Sequence, residues 1–407
     1  MSLHTAFDPR SNSIGFLRLA LALCVVVSHT FPLGGFNGGF DPLEAITAGR
    51  TSIGTLAVDG FFVLSGYLIS RSFLSVPRIM SYFWRRALRI FPGYWVCLVI
   101  TALVFAPLAW HKERGGFLGV FTTQGDTPIQ YVLNNWSLII GQWDIAGLFT
   151  RTPVRMSRGL MMMDGSLWTL KYEFLCYIGV GVLGLLALKL RRRVMLVLLA
   201  TAVAVVHAAF LLWPDATTSL LLRADARLAD AELFRLAFSF VLGAVLYVYS
   251  ERIPISGRLA FLATVLMAVG TLGGAGFTVV GEVAAAYVWI WLVVRLPFTR
   301  ADTRGDLSYG VYIYAWPVEQ LCADYALNRW GQLPYLVFVL LGTLALAFLS
   351  WHLVERPALM LKRWSPASLW PSLSAQMSNP SCVSFSVVMR RLRPYCDSRH
   401  APFSLKS

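Results

Sequence analysis

Arg18 and His29 are two ionisable residues in the first apolar run of the chain, where lipid makes a charge costly. They are eleven residues apart, so on a helix they differ by only about 20° around the axis and by about 16 Å along it. A guanidinium can bind an anion, and a neutral imidazole can accept a proton. The spacing therefore predicts an anion-binding group near one membrane surface and a base in the opposite half. Alternatively, Arg18 is a topology anchor and His29 an interfacial histidine.

Two carboxylates also fall within apolar runs. Asp59 lies near the outer end of the second run, at a depth similar to that of His29, and is either a loop acid or a partner that orients the imidazole. Glu173 lies about two turns inside the fourth run, where its short side chain cannot reach the headgroups. It belongs either to a structural ion pair or to a reaction site. We predict that one of these carboxylates orients His29.

A cluster of arginines stands at the start of the third apolar run. Arg86 and Arg89 are three residues apart and therefore share one helix face. Guanidinium groups hold phosphate through two parallel hydrogen bonds. Such clusters are also topology signals, but Arg89 lies inside the apolar run rather than in the loop. We therefore predict a phosphate-binding mouth at the cytoplasmic end of this helix.

Membrane helices are the elements that must position these side chains. Of 407 residues, 57% are hydrophobic and 14% are charged, whereas a soluble domain carries about 25% charged residues. A helix needs about 20 mostly apolar residues to span a bilayer. The segments that meet this requirement are 14–33, 55–74, 88–109, 166–188, 194–213, 233–250, 258–276, 278–295, 307–326 and 333–353.

The distribution of Lys and Arg predicts the orientation of these spans. A cytoplasmic N-terminus over 1–13 places most of the basic clusters on the cytoplasmic side, and an even number of spans returns the C-terminus there. The fold class is therefore an all-α integral membrane protein, a bundle of about ten transmembrane helices over 14–363. We expect short interfacial helices in the long outer loop at about 110–165, and a poorly ordered cytoplasmic tail over 364–407.

Composition and motifs argue against several classes of function. The net charge of +14 is carried by short clusters between apolar runs, which is typical of topology signals and anionic lipid contacts rather than of nucleic-acid binding. The six cysteines have no metal or redox spacing, and no metal or permanently bound cofactor is expected. The sequence contains no Walker loop, which argues against a primary pump. It contains neither Gly-x-Ser-x-Gly nor His-Glu-x-x-His, which argues against the α/β-hydrolases and the zinc metalloproteases that carry these motifs.

Taken together, these segments resemble the acyltransferase 3 family of membrane acyltransferases, which modify bacterial surface polysaccharides. The likeness extends from Ile14 to Pro357, and its six motifs occur in the order of the family. The matching residues are Arg18 and His29; Asp59 with Phe61 to Gly66; Arg86 and Arg89 with Ile90 and Pro92; Ser166, Leu167 and Trp168 with Glu173; Leu307 to Tyr312; and Val354 to Pro357.

The resemblance implies an O-acyltransferase of the class that transfers groups other than amino-acyl groups. Its donor would be cytoplasmic acyl-CoA, most often acetyl-CoA, and its acceptor a saccharide hydroxyl at the outer face of a bacterial inner membrane. Arg18, Arg86 and Arg89 would bind the phosphate-rich donor. The partners implied are the donor, a saccharide acceptor and the lipid bilayer, without nucleic acid. The acceptor glycan, the acyl chain and the oligomeric state stay open.

In this interpretation His29 is the general base, with Glu173 or Asp59 orienting its imidazole. A histidine-bound acyl intermediate is a second possibility. Many members of the family carry a histidine before the Trp-Pro of the ninth span, where this chain has Ala315. Any role of that histidine therefore does not carry over. The chain resembles members that lack an additional esterase-like domain.

A transporter or flippase of a lipid-linked glycan is the alternative from a different class. It would use the same spans and the same buried charges without performing chemistry. The arginine pair Arg86 and Arg89, facing the cytoplasm, favours the enzyme, because a flippase has no need to hold CoA phosphates.

Overall fold

The computed structural model describes residues 1–75, 79–186, 192–301 and 305–363. Over these residues the chain is helical and forms no β-strand. Ten long helices in the described chain overlap the ten predicted segments. They are α1 (Ile14–Gly34), α2 (Ile53–Ser75), α3 (Ile79–Ile100), α4 (Trp168–Leu186), α5 (Arg192–Leu212), α6 (Ala231–Val248), α7 (Gly257–Leu272), α8 (Ala275–Arg295), α9 (Ser308–Asp324) and α10 (Gln332–Ser350). The predicted tail at 364–407 lies outside the described residues.

Seven helices of the described chain are long and apolar enough to cross a membrane: α1, α2, α3, α5, α6, α8 and α10. The other three are α4, α7 and α9, of which α7 and α9 have 16 and 17 residues. The all-helical class is confirmed. The count of ten spans and the cytoplasmic position of both termini stay predictions.

Two helices continue beyond their regular α-helical part through a π-helical turn, a feature that is frequent at functional sites. α3 passes through Thr101–Phe105 into Ala106–Arg114, and α10 passes through Trp351–Glu355 into Arg356–Met360. α3 also begins nine residues before its predicted span at 88. Hydropathy underestimates its length because arginines interrupt the apolar sequence, although they do not interrupt the helix. Arg86 and Arg89 consequently lie well inside α3.

α2 and α6 pack backbone against backbone. Gly66 on α2 lies against the carbonyl of Phe240, and Gly243 on α6 lies against the carbonyl of Val63, so that a Cβ at either glycine would overlap these atoms. Small residues permit such close approach between membrane helices. Gly66 therefore serves helix packing, while the side chain of the neighbouring Ser65 has a polar partner described below.

The segment 110–165 contains two short helices, Pro128–Asn135 and Pro153–Arg158. The first exposes Ile129 and Leu133 and is followed by an exposed Trp136. The indole Nε1 of Trp95 on α3 donates a hydrogen bond to the carbonyl of Trp136 at 2.9 Å. An exposed apolar face with tryptophan is typical of a segment at the membrane interface, and the interfacial position of this loop stays a prediction.

Candidate active site

A cavity of about 310 Å³ lies at the end of the bundle that contains Arg18, and we call it the inner cavity. Arg18 on α1 and Arg89 on α3 both contact one oxygen of Asp306, Oδ2, at 2.8 and 2.5 Å. The other oxygen, Oδ1, accepts hydrogen bonds from the backbone N–H and the hydroxyl of Ser308 at 3.2 and 2.5 Å. Asp306 therefore joins three helices, α1, α3 and α9, at the inner cavity.

Asp306 stays ionised despite its burial. Desolvation would raise the pKa of its carboxyl, but Arg18, Arg89 and the hydrogen bonds from Ser308 outweigh it and hold the pKa below the usual range. Motif and hydropathy arguments overlook this residue, because it stands just before α9 rather than inside an apolar run.

The inner cavity carries a second set of cations that no carboxylate neutralises within the described residues. Arg85, Arg86 and Lys362 all line it, and none has a carboxylate within ion-pair distance in the described chain. The Nε atoms of Arg85 and Arg86 are buried and lack a hydrogen-bond partner there. Burial and the neighbouring charges of the three arginines, Arg89 first, lower the pKa of Lys362. Arg85 and Lys362 are additions to the predicted phosphate-binding set.

The predicted arginine pair therefore separates into two environments. Arg89 is bound to Asp306 and lies 4.0 Å from an oxygen of Glu355 in the π-turn after α10. Arg86 lines the same cavity but has its guanidinium above the ring of Tyr177, 5.8 Å from the centroid. Both side chains line one cavity, as their shared helix face predicts. Carboxylates lie beside Arg89, whereas Arg86 forms no ion pair within the described residues.

Glu173 does not form the expected contact with His29. Its carboxylate accepts hydrogen bonds from the hydroxyl of Ser65, at 3.1 Å, and from that of Tyr177. The reason is that α4 begins deep in the bundle, where the hydroxyl of Thr169 lies 2.7 Å from that of Tyr312. About one turn further along, Glu173 is already at the inner cavity, which Arg18 also lines.

Asp59 does not contact His29 either. Its carboxylate forms an ion pair with Arg235 on α6, whose guanidinium also binds Glu232 at 2.6 Å. A carboxylate within an apolar run is most stable beside a buried cation, and Arg235 supplies one across the helix interface. Sequence reasoning omitted Arg235, although it is an arginine within the sixth predicted span.

His29 lines a second cavity of about 450 Å³, which we call the outer cavity. Its ring meets the indole of Trp316 edge to face, with 4.8 Å between centroids. Its Nδ1 lies 3.7 Å from Oε2 of Glu319, a fully buried residue on α9. Nδ1 and both oxygens of Glu319 lack a hydrogen-bond partner within the described residues. Glu319 is thus the carboxylate beside the imidazole, in the place predicted for Asp59 or Glu173.

Ala315, where many members of the family have histidine, is fully buried on α9. It belongs to an apolar cluster with Ala22 and Val26 of α1. It therefore contributes to the packing of α1 against α9.

A narrow pocket of about 40 Å³ lies next to the inner cavity and shares Arg18, Ser65, Glu173 and Tyr309 with it. It shares no lining residue with the outer cavity. The edge contact between Phe61 and Tyr312, at 5.9 Å between ring centroids, belongs to its wall. In the described chain, neither this pocket nor the inner cavity shares a lining residue with the outer cavity at His29.

Known proteins of similar sequence give independent evidence on the family. The family model described as an acyltransferase domain matches residues 11–352. The O-acetyl transferase of Shigella phage Sf6 is 30% identical over 360 residues, which cover 88% of this chain and 98% of that protein. Nodulation protein 10 of Rhizobium leguminosarum bv. viciae is 27% identical over 372 residues, covering 86% and 94%. No solved structure shows a significant match. The chain therefore belongs to the acyltransferase 3 family, as its motifs predict.

Proposed function

We propose that this protein is an O-acyltransferase that moves an acyl group, by preference acetyl, from cytoplasmic acyl-CoA to a saccharide hydroxyl at the outer face of a bacterial cell membrane. The observation that carries the proposal is the position of two side chains of one helix. Arg18 of α1 lines the cationic inner cavity, and His29 of the same helix lines the outer cavity. A phosphate-rich donor and a hydroxyl acceptor can therefore approach from opposite sides.

The donor would bind by its phosphates at the inner cavity. Arg85, Arg86 and Lys362 supply cationic donors that the protein itself does not neutralise within the described chain. The long, thin arm of CoA would extend past Arg18 and Arg89 through the narrow pocket. This step requires Phe61 and Tyr312 to separate, because their rings narrow that pocket.

His29 would take the proton of the acceptor hydroxyl as its oxygen attacks the thioester carbonyl carbon. The carbon–sulfur bond then breaks, the new ester forms, and the imidazolium returns the proton to the CoA thiolate. General base catalysis of this kind contributes about 10²–10⁴-fold. Glu319, 3.7 Å from Nδ1, would orient the ring and stabilise the imidazolium. An acyl group carried transiently by His29 would use the same placement.

Replacing His29 with Ala tests the proposal. We expect loss of saccharide acylation, measured both by mass spectrometry of surface glycans in cells and by acetyl transfer with the purified protein. The control is His352→Ala, a histidine whose Nδ1 lies 2.9 Å from the carbonyl oxygen of Phe348 and which lines neither cavity. Normal acylation in the His29 variant would contradict the proposal. Lost glycan export with retained acylation would favour the transporter.

A further inference from the structure

The outer cavity is lined by three guanidinium groups, and each already has a partner in the protein. Arg158, from the outer loop, binds both carboxylate oxygens of Glu44 at 2.9 and 2.8 Å and the carbonyl of Gly39 at 2.6 Å. Arg50 donates to the carbonyl of Leu272 at 3.1 Å. Arg158 and Glu44 both line the cavity and neutralise each other's charge.

Arg235, also in the lining of this cavity, repeats this arrangement. Arg235 donates from Nε and Nη2 to one oxygen of Glu232, at 3.0 and 2.6 Å, and pairs with Asp59 through Nη1. Arg158 is thus paired with Glu44, and Arg235 with Glu232 and Asp59, whereas the exposed Arg50 donates only to a backbone carbonyl. The inner cavity differs, because cations such as Arg86 have no such partner in the described chain.

This balance decides what kind of ligand the outer cavity can bind. At Arg158 and Arg235 an anionic ligand would have to separate an existing ion pair or face the carboxylates of Glu44 and Glu232, and breaking a partly buried pair is unfavourable. A sugar hydroxyl is both donor and acceptor. It can donate to a carboxylate and accept from a guanidinium without separating them. Trp316, next to His29, adds an aromatic surface for the apolar face of a ring.

We propose that the outer cavity is the acceptor subsite and that it binds an uncharged pyranose, excluding uronic acids and other anionic sugars. The Arg158–Glu44 and Arg235–Glu232 pairs hold the ring hydroxyls, and the reacting hydroxyl lies at His29. The volume of about 450 Å³ falls in the usual range for a small-molecule site, about 300–1,000 Å³. This inference rests on the proposed function and narrows its acceptor.

The test is acetyl transfer by the full-length protein in lipid nanodiscs, with acetyl-CoA and paired methyl glycosides. Each pair consists of a neutral methyl pyranoside and the corresponding methyl uronoside, and the three pairs belong to the gluco, galacto and manno series. We expect kcat/KM for the neutral member to exceed that for the uronoside by at least about tenfold, because Arg158 and Arg235 are already paired with carboxylates that would repel the uronate. Equal or better use of a uronoside would overturn the acceptor assignment alone. Transfer to no saccharide would overturn the proposed function with it.

Replacing Glu44 with Gln sharpens the test, because it releases the charge of Arg158. The neutral-to-uronoside ratio should then fall by at least about tenfold. Glu232→Gln, at a side chain that is about half exposed, is the second variant and should shift the ratio in the same direction. Glu251→Gln, in a surface pair with Arg193, is the matched control. An unchanged ratio in both cavity variants would overturn the proposal.

Discussion

At the scale of the residue, the chemistry depends on which carboxylate faces His29. The carboxyl group of Glu319 is fully buried and receives no hydrogen bond from the described residues. A small rotation of the His29 ring would bring its Nδ1 within hydrogen-bond distance of this group. At 3.7 Å the two groups are just beyond the hydrogen-bond range of about 2.7–3.2 Å. Catalytic contacts of this kind are often long in a substrate-free enzyme and shorten when the substrate binds.

Replacing Glu319 with Gln should therefore lower kcat by about 100-fold, while KM for the acceptor stays nearly constant. The reason is that the amide keeps the size of the side chain but cannot stabilise the imidazolium that forms in the transition state. Steady-state kinetics measure the two constants separately, and thermal unfolding of the purified protein reports stability. A purely structural role would instead lower the unfolding temperature and leave kcat per folded molecule unchanged.

At the scale of the element, helix placement decides the depth at which each polar group acts. α1 carries an ionisable side chain at each cavity, whereas α4 begins inside the bundle and so places Glu173 at the inner cavity. α2 and α6 must stay in close contact for Asp59 to reach Arg235. The glycines Gly66 and Gly243 make that contact possible.

Replacing Gly66 with Ala should destabilise the protein by about 1–3 kcal/mol or more. The added methyl group would overlap the carbonyl of Phe240, and backbone cannot move aside as a flexible side chain can. Thermal unfolding in detergent measures the loss. Gly179→Ala on α4 is the control, since no atom lies within 4 Å of the added Cβ. Similar stability of the two variants would contradict the packing argument.

At the scale of the whole molecule, the two cavities differ in how their charges are balanced. The inner cavity retains cations without carboxylate partners in the described chain, while Arg158 and Arg235 of the outer cavity are paired with carboxylates. This difference matches a donor that is a polyanion and an acceptor that is not. A flippase would have no reason for such an asymmetry, since its ligand is the same molecule on both sides.

The double replacement of Arg85 and Arg86 by Gln should raise KM for acetyl-CoA by about 10- to 100-fold, because each charge-assisted hydrogen bond to phosphate contributes about 1.5–3 kcal/mol. KM for S-acetylpantetheine, which has no phosphate, should not change. Arg252→Gln, an exposed arginine near the end of α6, is the control. Equal effects on both donors would show that these arginines do not bind the phosphates.

The sequence by itself determined the helical membrane class, the helix face shared by Arg18 and His29, and the joint position of Arg86 and Arg89 on one cavity. These features depend on composition and on the helical period, both of which are local properties of the chain. Family membership also followed from the order of short motifs.

Only the tertiary structure decided the partners of these residues. Asp59 and Arg235 are 176 residues apart, and Arg18 and Asp306 are 288 apart. The helical period states which way a side chain points but not which helix stands opposite, because that depends on how all helices pack together. The same reason explains why Glu319, rather than Asp59 or Glu173, lies beside His29.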